Sequence, residues 1–173
     1  MSQGEIVFLK AQEYLAENHG KRANHYHTRR IVMQGITGVN EKIRLKMTLA
    51  EAGLFCANSV NYIVLNNSAV EPEYLLGLLN SSLLNFAFGK TSTNSNVNGY
   101  EVDNLPIRIV DGRAREKIVA LVNRILAAKN RDGGVDTSAL ERDIDRLVYQ
   151  VYGLTENDSA VVEANTSPAM LGD

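Results

Sequence analysis

Seven basic residues stand between positions 21 and 46: Lys21, Arg22, Arg29, Arg30, Lys42, Arg44 and Lys46. Glu41 is the one acidic residue among them. Cations at that density suit phosphates, although a chance cluster on a solvated surface gives the same count. A second polar stretch, Lys90 to Tyr100, holds Asn94, Asn96 and Asn98 among Ser, Thr and Gly. Its amides and hydroxyls fit base edges and phosphates, and a solvated linker would look similar. His25 and His27 flank Tyr26, but no cysteine or acidic ligand cluster accompanies them, so we read them as part of the basic surface. Glu141, Asp143 and Asp145 fall at i, i+2 and i+4 with Arg142 and Arg146 between them, which describes a salt-bridged, solvated helix face better than a metal site.

Other catalytic chemistry has no sequence support. GxxxxGK[ST], GxGxxG and GxSxG are all absent. No catalytic residue, no metal ligand and no cofactor site are therefore expected in this chain. The single cysteine, Cys56, lies in the apolar string Gly53–Ala57 and is expected to be a buried, inert thiol. The start, Met1 to Glu5, lacks a basic segment followed by an apolar run, and no stretch is apolar enough to span a membrane. A cytoplasmic chain without a membrane partner is expected. Net charge is −2, yet sixteen of the eighteen basic residues precede position 132 and nine of the twenty acidic residues lie from 132 onward. A polyanionic partner would thus meet the N-terminal part.

The elements that must hold these residues can be read from periodicity. Ile6 to Asn18 predicts a helix, and residues 19–30 a loop. Arg30–Ile36, Ile43–Leu49, Leu54–Ala57 and Asn61–Leu65 have strand composition between Gly/Asn turns. Within Ile43–Leu49 strict alternation turns Ile43, Leu45 and Met47 to the core and projects Arg44, Lys46 and Thr48 together. From Pro72 to about Phe88 the spacing becomes helical, and Leu105–Ile109 reads as an edge strand that tolerates Pro106. Asp111 is expected to cap a helix reaching about Lys129. Ser138 and Glu141 form a capping box for a second helix that Gly153 stops, and Thr155 can cap one further turn. From about Ala164 disorder is expected.

Three of these segments together resemble the TaqI-like C-terminal specificity domain of type IIG and related N6-adenine restriction-modification methyltransferases. They are the helix Leu75–Leu83 after the strand Asn61–Leu65, the Leu105-Pro106-Ile107 element, and the ending Leu140–Thr155. The likeness runs over roughly residues 30–163 and is loose before that, where Tyr26 stands in for an expected aromatic anchor. Type I specificity subunits have similar recognition domains. The resemblance implies an α+β fold: a mixed twisted β-sheet recognition domain with packed helices over 1–110. An antiparallel helical hairpin over 111–154 and a short turn and tail over 155–173 complete it.

It also implies sequence-specific recognition of double-stranded DNA without catalysis. S-adenosylmethionine and the adenine pocket would belong to a separate N-terminal methyltransferase domain, in cis or as a partner subunit, since NPP[YFW] and FxGxG are absent here. On that reading Arg29, Arg30, Lys42, Arg44 and Lys46 form one basic face, Arg44 and Lys46 meet guanine, and Gln34 meets adenine. Lys90, Asn94, Asn96 and Asn98 act from the loop, and Thr37 touches the backbone from a turn that includes Asn40. The competing reading is a protein-interaction module that docks a partner through its helical hairpin.

Overall fold

The computed structural model describes residues 15–17, 20–57, 59–65 and 70–166. A short helix α1 (Lys21–Asn24) and a 3-10 turn (His25–His27) lead into strands β1 (Arg30–Gln34), β2 (Met47–Ala50) and β3 (Val60–Ile63). Helices α2 (Pro72–Asn80), α3 (Ser82–Thr91), α4 (Gly99–Asp103), α5 (Arg113–Arg131), α6 (Ser138–Tyr152) and α7 (Glu156–Thr166) follow. The fold is therefore α+β. Of the expected opening helix, only residues 15–17 are described, and they are helical.

Strand β1 lies between β2 and β3 and pairs antiparallel with both. Val32 faces Thr48 and Tyr62 across the sheet, and Met33 faces Met47 and Asn61. The described sheet is thus antiparallel rather than mixed. Leu105–Ile109 does not join it, because tyrosine hydroxyls satisfy that segment's backbone instead. Tyr152 Oη accepts from the Arg108 amide (3.0 Å) and donates to the Pro106 carbonyl (2.6 Å), while Tyr74 Oη donates to the Arg108 carbonyl (2.8 Å). Leu54–Ala57 is not a strand either. Gly53 turns the chain at φ +92°, its amide donates to the Tyr26 carbonyl (2.8 Å), and Phe55 stacks on Tyr26 at 4.5 Å. Cys56, within this segment, is half-buried rather than buried.

The helix expected from Pro72 to Phe88 forms as two. Ser81 is extended (ψ 153°), and its hydroxyl accepts from the Leu84 amide (3.3 Å), which starts α3. The break has a tertiary partner, since the Asp145 carboxylate accepts from the amide and the hydroxyl of Ser82, each at 2.8 Å. A carboxylate at a helix start is favoured by the orphan amides and the dipole there. Asp145 consequently leaves the solvated acidic face expected of it, whereas Asp143 pairs with Arg146 and Glu141 with Lys129 as that face requires.

One apolar cluster runs from Ile31 and Met33 through Leu76, Leu78, Leu79, Leu84 and Phe88 to Ile118, Val122, Ile144 and Val148, so the sheet and the last helices share a core. Gly77 makes this possible. A Cβ there would meet Ile118 Cγ2 at 2.7 Å and Val122 Cγ2 at 3.1 Å, so α2 and α5 touch backbone to side chain. Helices α5 and α6 pack on each other. Their caps sit one residue away from the expected places: Gly112 precedes α5 while Asp111 pairs with Arg115, and Thr137 precedes α6 with its hydroxyl on Glu141 (2.6 Å). Gly153 ends α6 at φ 72° as expected. Thr155 and Asp158 exchange hydrogen bonds at the start of α7, which is eleven residues long rather than one turn and includes Ala164. No described helix is long and apolar enough to cross a membrane.

Candidate nucleic-acid interface

One face of the sheet carries Ile31, Met33 and Met47 into the core, and the pleat sends Val32, Gln34, Thr48, Val60 and Tyr62 to the other. That outer face is closed at one end. Arg30 lies there with 4% exposure, its guanidinium 5.3 Å from the Tyr62 ring centroid and bonded to the Leu54 carbonyl. Tyr62 in turn shares a hydrogen bond with His25 Nδ1 (3.1 Å). The opposite end is open, with Val32, Gln34, Ile36, Lys46, Thr48, Ser59 and Val60 lining a shallow depression.

Two loops meet beside this open end. The Gly35 carbonyl accepts from the Val97 amide (2.9 Å), Thr37 N–H donates to the Ser95 carbonyl (3.0 Å), and Ile36 and Asn96 pair as an isolated antiparallel bridge. Gly35 is required at this crossing, because a Cβ would lie 2.5 Å from the Ser59 carbonyl oxygen. Ile36, paired at this bridge, is 59% exposed and Val39, three residues on, is 50% exposed, so the junction, here termed the tip, carries exposed apolar side chains. Gln34 Nε2 donates to the Ile36 carbonyl (2.8 Å) along its side.

Arg44 lies beneath the tip, and the expected alternation fails around it. Both Arg44 and Leu45 donate their backbone amides to Asn85 Oδ1, at 2.9 and 2.7 Å. Successive amides of an extended strand point to opposite sides, so this shared acceptor bends the chain and delays β2 until Met47. The Arg44 side chain is turned inward and is 2% exposed. Its Nε donates to Thr37 Oγ1 (3.4 Å), Nη1 to the Ser92 carbonyl (3.2 Å), and Nη2 to the carbonyls of Asn94 (2.5 Å) and Asn96 (3.4 Å), with the group 4.9 Å from the Phe88 ring centroid. Burial opposes ionisation of nearby Glu101, but the Ser92 hydroxyl, hydrogen bonds from Asn98 and, last, the Arg44 charge hold its carboxyl below the usual range.

The basic face expected from the sequence is therefore taken apart. Arg30 and Arg44 are interior groups with intramolecular partners, and neither offers a cation at the surface. Arg29 pairs with Glu51 (2.8 Å) and Glu73. Lys42 is exposed, Lys46 is exposed with Glu41 at 3.6 Å, and Lys90 lies over the Phe86 ring at 4.9 Å. Thr37 is buried as an Arg44 partner. Asn94 Oδ1 accepts from the Asn96 amide (2.9 Å), and Asn98 forms the capping box of α4 with Glu101. Gln34, Lys46 and Asn96 are the expected residues that remain exposed on or beside the open face. Sequence reasoning did not single out Ile36, Val39 or Asn85. The glycines at 35 and 38, each followed by an apolar residue, were the available signal for the tip, and nothing local marked Asn85.

Comparison with known proteins adds to this geometry. The family model described as the TaqI-like C-terminal specificity domain matches residues 8–107, more than half of the chain. The match includes the N-terminal segment, whose motifs resemble the family only loosely, and it stops before the Leu140–Thr155 ending. Among solved structures, the type IIL restriction-modification enzyme MmeI in complex with DNA is similar in fold, with a TM-score of 0.64 at 15% identity. The match covers 90% of this chain and 24% of that one, so the chain spans about a quarter of that enzyme. No curated protein matches the sequence.

Proposed function

The chain belongs to the family of TaqI-like C-terminal specificity domains, and from that premise we propose that it reads the base sequence of double-stranded DNA for a restriction-modification adenine methyltransferase. One observation carries the site assignment: the open sheet end and the joined loops put an amide, an ammonium, a hydroxyl and an apolar tip on one surface. Gln34 and Asn96 have the donor and acceptor pair that suits adenine, Lys46 the cation for phosphate or guanine, and Ile36 an apolar group for a thymine methyl or a base step. Lys42 and Lys90 would add phosphate contacts at the margin, and Arg29 only after its carboxylate partners yield. The chain would do no chemistry itself. S-adenosylmethionine and the target adenine would be held by a methyltransferase domain, in cis or as a separate subunit, and the work would be cytoplasmic.

A labelled duplex pool titrated across a salt series tests this. We expect affinity that falls steeply with salt and enrichment of a defined motif, with Ile36→Ala and Gln34→Ala each altering preference at a limited set of positions. Weak binding with almost no salt dependence would refute it.

The second reading, a docking module, has one observation in its favour. A largely apolar depression of about 530 Å³ lies between β2, α2, α5 and α6, lined by Met47, Leu76, Val122, Ile125, Leu126 and Ile144. On the first reading this depression is a place for the methyltransferase partner, and both readings then hold for one chain.

A further inference from the structure

We propose that Arg44 is the positioning residue of the DNA-reading tip: a buried cation that locks the 35–38 and 92–97 loops together and sets sequence preference without touching DNA. This rests on the reading proposed above. The argument begins with what the loop lacks. Residues 92–98 are Ser, Thr, Asn, Ser, Asn, Val and Asn, with one buried apolar side chain, Val97, to hold them. Such a segment has little to offset its ordering entropy, and a loop that orders only on DNA reads bases poorly, because both correct and incorrect sequences can draw it into shape.

Arg44 supplies the missing order. Its three guanidinium nitrogens reach one hydroxyl in the first loop and three carbonyls in the second, and the ring of Phe88 supports the plane. A planar fork can serve divergent acceptors in this way, whereas an ammonium acts as a point charge. Asn85 fixes the Arg44 backbone from α3, so the tip is tied to the helical core. Every nitrogen is engaged inside the protein, and a side chain 2% exposed cannot reach a phosphate.

The test uses the 173-residue chain, its Arg44→Lys and Arg44→Gln variants, and a pool of randomised duplexes. Wild type is expected to enrich a motif. Both variants should lose about tenfold or more in the ratio of motif to random-duplex affinity, while random-duplex affinity and the salt slope stay unchanged. Equal motif sharpness in the variants overturns the proposal. So does a uniform loss with the slope reduced by about one, which marks a phosphate contact. Wild-type binding without enrichment would bring down the sequence-reading function itself, and it is seen before any variant is made. A second measurement needs no variant: the Thr37 and Val97 amides of free wild type should be protected from hydrogen exchange, and a duplex should add little. Unprotected amides, or strong protection only with DNA, overturn the proposal even if the variants fail to fold.

Discussion

Asn85, on helix α3, presents one side-chain oxygen to the backbone amides of Arg44 and of Leu45, at 2.9 and 2.7 Å. Its own amide group donates to the Ser81 carbonyl (3.1 Å), and the residue is 1% exposed. A single carboxamide thus replaces what a neighbouring strand would have supplied. It converts an expected run of strand into a bend that turns Arg44 inward.

Asn85→Ala should be strongly destabilising. It leaves two buried amides without an acceptor, and each orphaned group costs about 1–3 kcal/mol. Urea denaturation should give a loss of about 2–5 kcal/mol, and a loss under about 1 kcal/mol would mean that water takes the place of the side chain.

Lys46 shares its charge with Glu41 at 3.6 Å across an exposed contact. Such a pair adds little to stability but competes with phosphate. Glu41→Gln should therefore strengthen binding to any duplex a few-fold with no change in melting temperature. Lys46→Ala should weaken binding and flatten the salt slope by about 0.9 if it neutralises one phosphate. Unchanged binding in both variants would remove this edge from the interface.

Gly77→Ala probes the junction of α2 and α5. The added methyl gains about 1 kcal/mol of helix propensity but meets fully buried Ile118 at 2.7 Å. Overpacking of this kind costs about 1–3 kcal/mol, so we expect a net loss and a lower melting temperature. A higher one would show that the two helices can move apart freely.

Asp145 gives a pH prediction. Burial, followed by the nearby charges of Glu163 and Glu141, raises its pKa above the ordinary Asp value, and the bonds from Ser82 offset this only in part. The folded protein therefore holds this proton more firmly than the unfolded chain. Below the unfolded value both states are protonated and the group is neutral in its effect. As pH rises through the folded value, ionisation costs stability, and the cost then persists. Asp145→Asn should thus gain stability relative to wild type as pH rises through the carboxylate range, whatever constant offset the lost acceptor brings. A pH-independent difference would mean that this carboxyl titrates normally.

The two longest helices, α5 and α6, were legible because each is specified locally, whereas α1 and the start of α4 fell in segments read as loops and α7 was expected as a single turn. The stripe Leu140, Ile144, Leu147, Val148 and Val151 recurs at helical spacing, and Gly153 provides the left-handed stop. Strand β1 follows from its short β-branched run in the same way, whereas its antiparallel pairing with β2 and β3 is a tertiary outcome where a mixed sheet was expected. The Leu105–Ile109 segment was misread because its composition suits an edge, while its actual partners, Tyr74 and Tyr152, lie more than thirty residues away.

Composition and periodicity by themselves determined the two amphipathic helices α5 and α6, since their patterns repeat within one element, while the α+β fold followed from the order of three motifs that resembles a family. Whether a given arginine faces water was decided only by tertiary structure. Arg30 and Arg44 sit in the same basic run as Lys42 and Lys46, and the first two are interior because Tyr62, Leu54, Phe88 and the carbonyls of residues 92–96 come to them from distant parts of the chain. A charge can be buried when such partners converge on it. Counting charges along the chain cannot show that convergence.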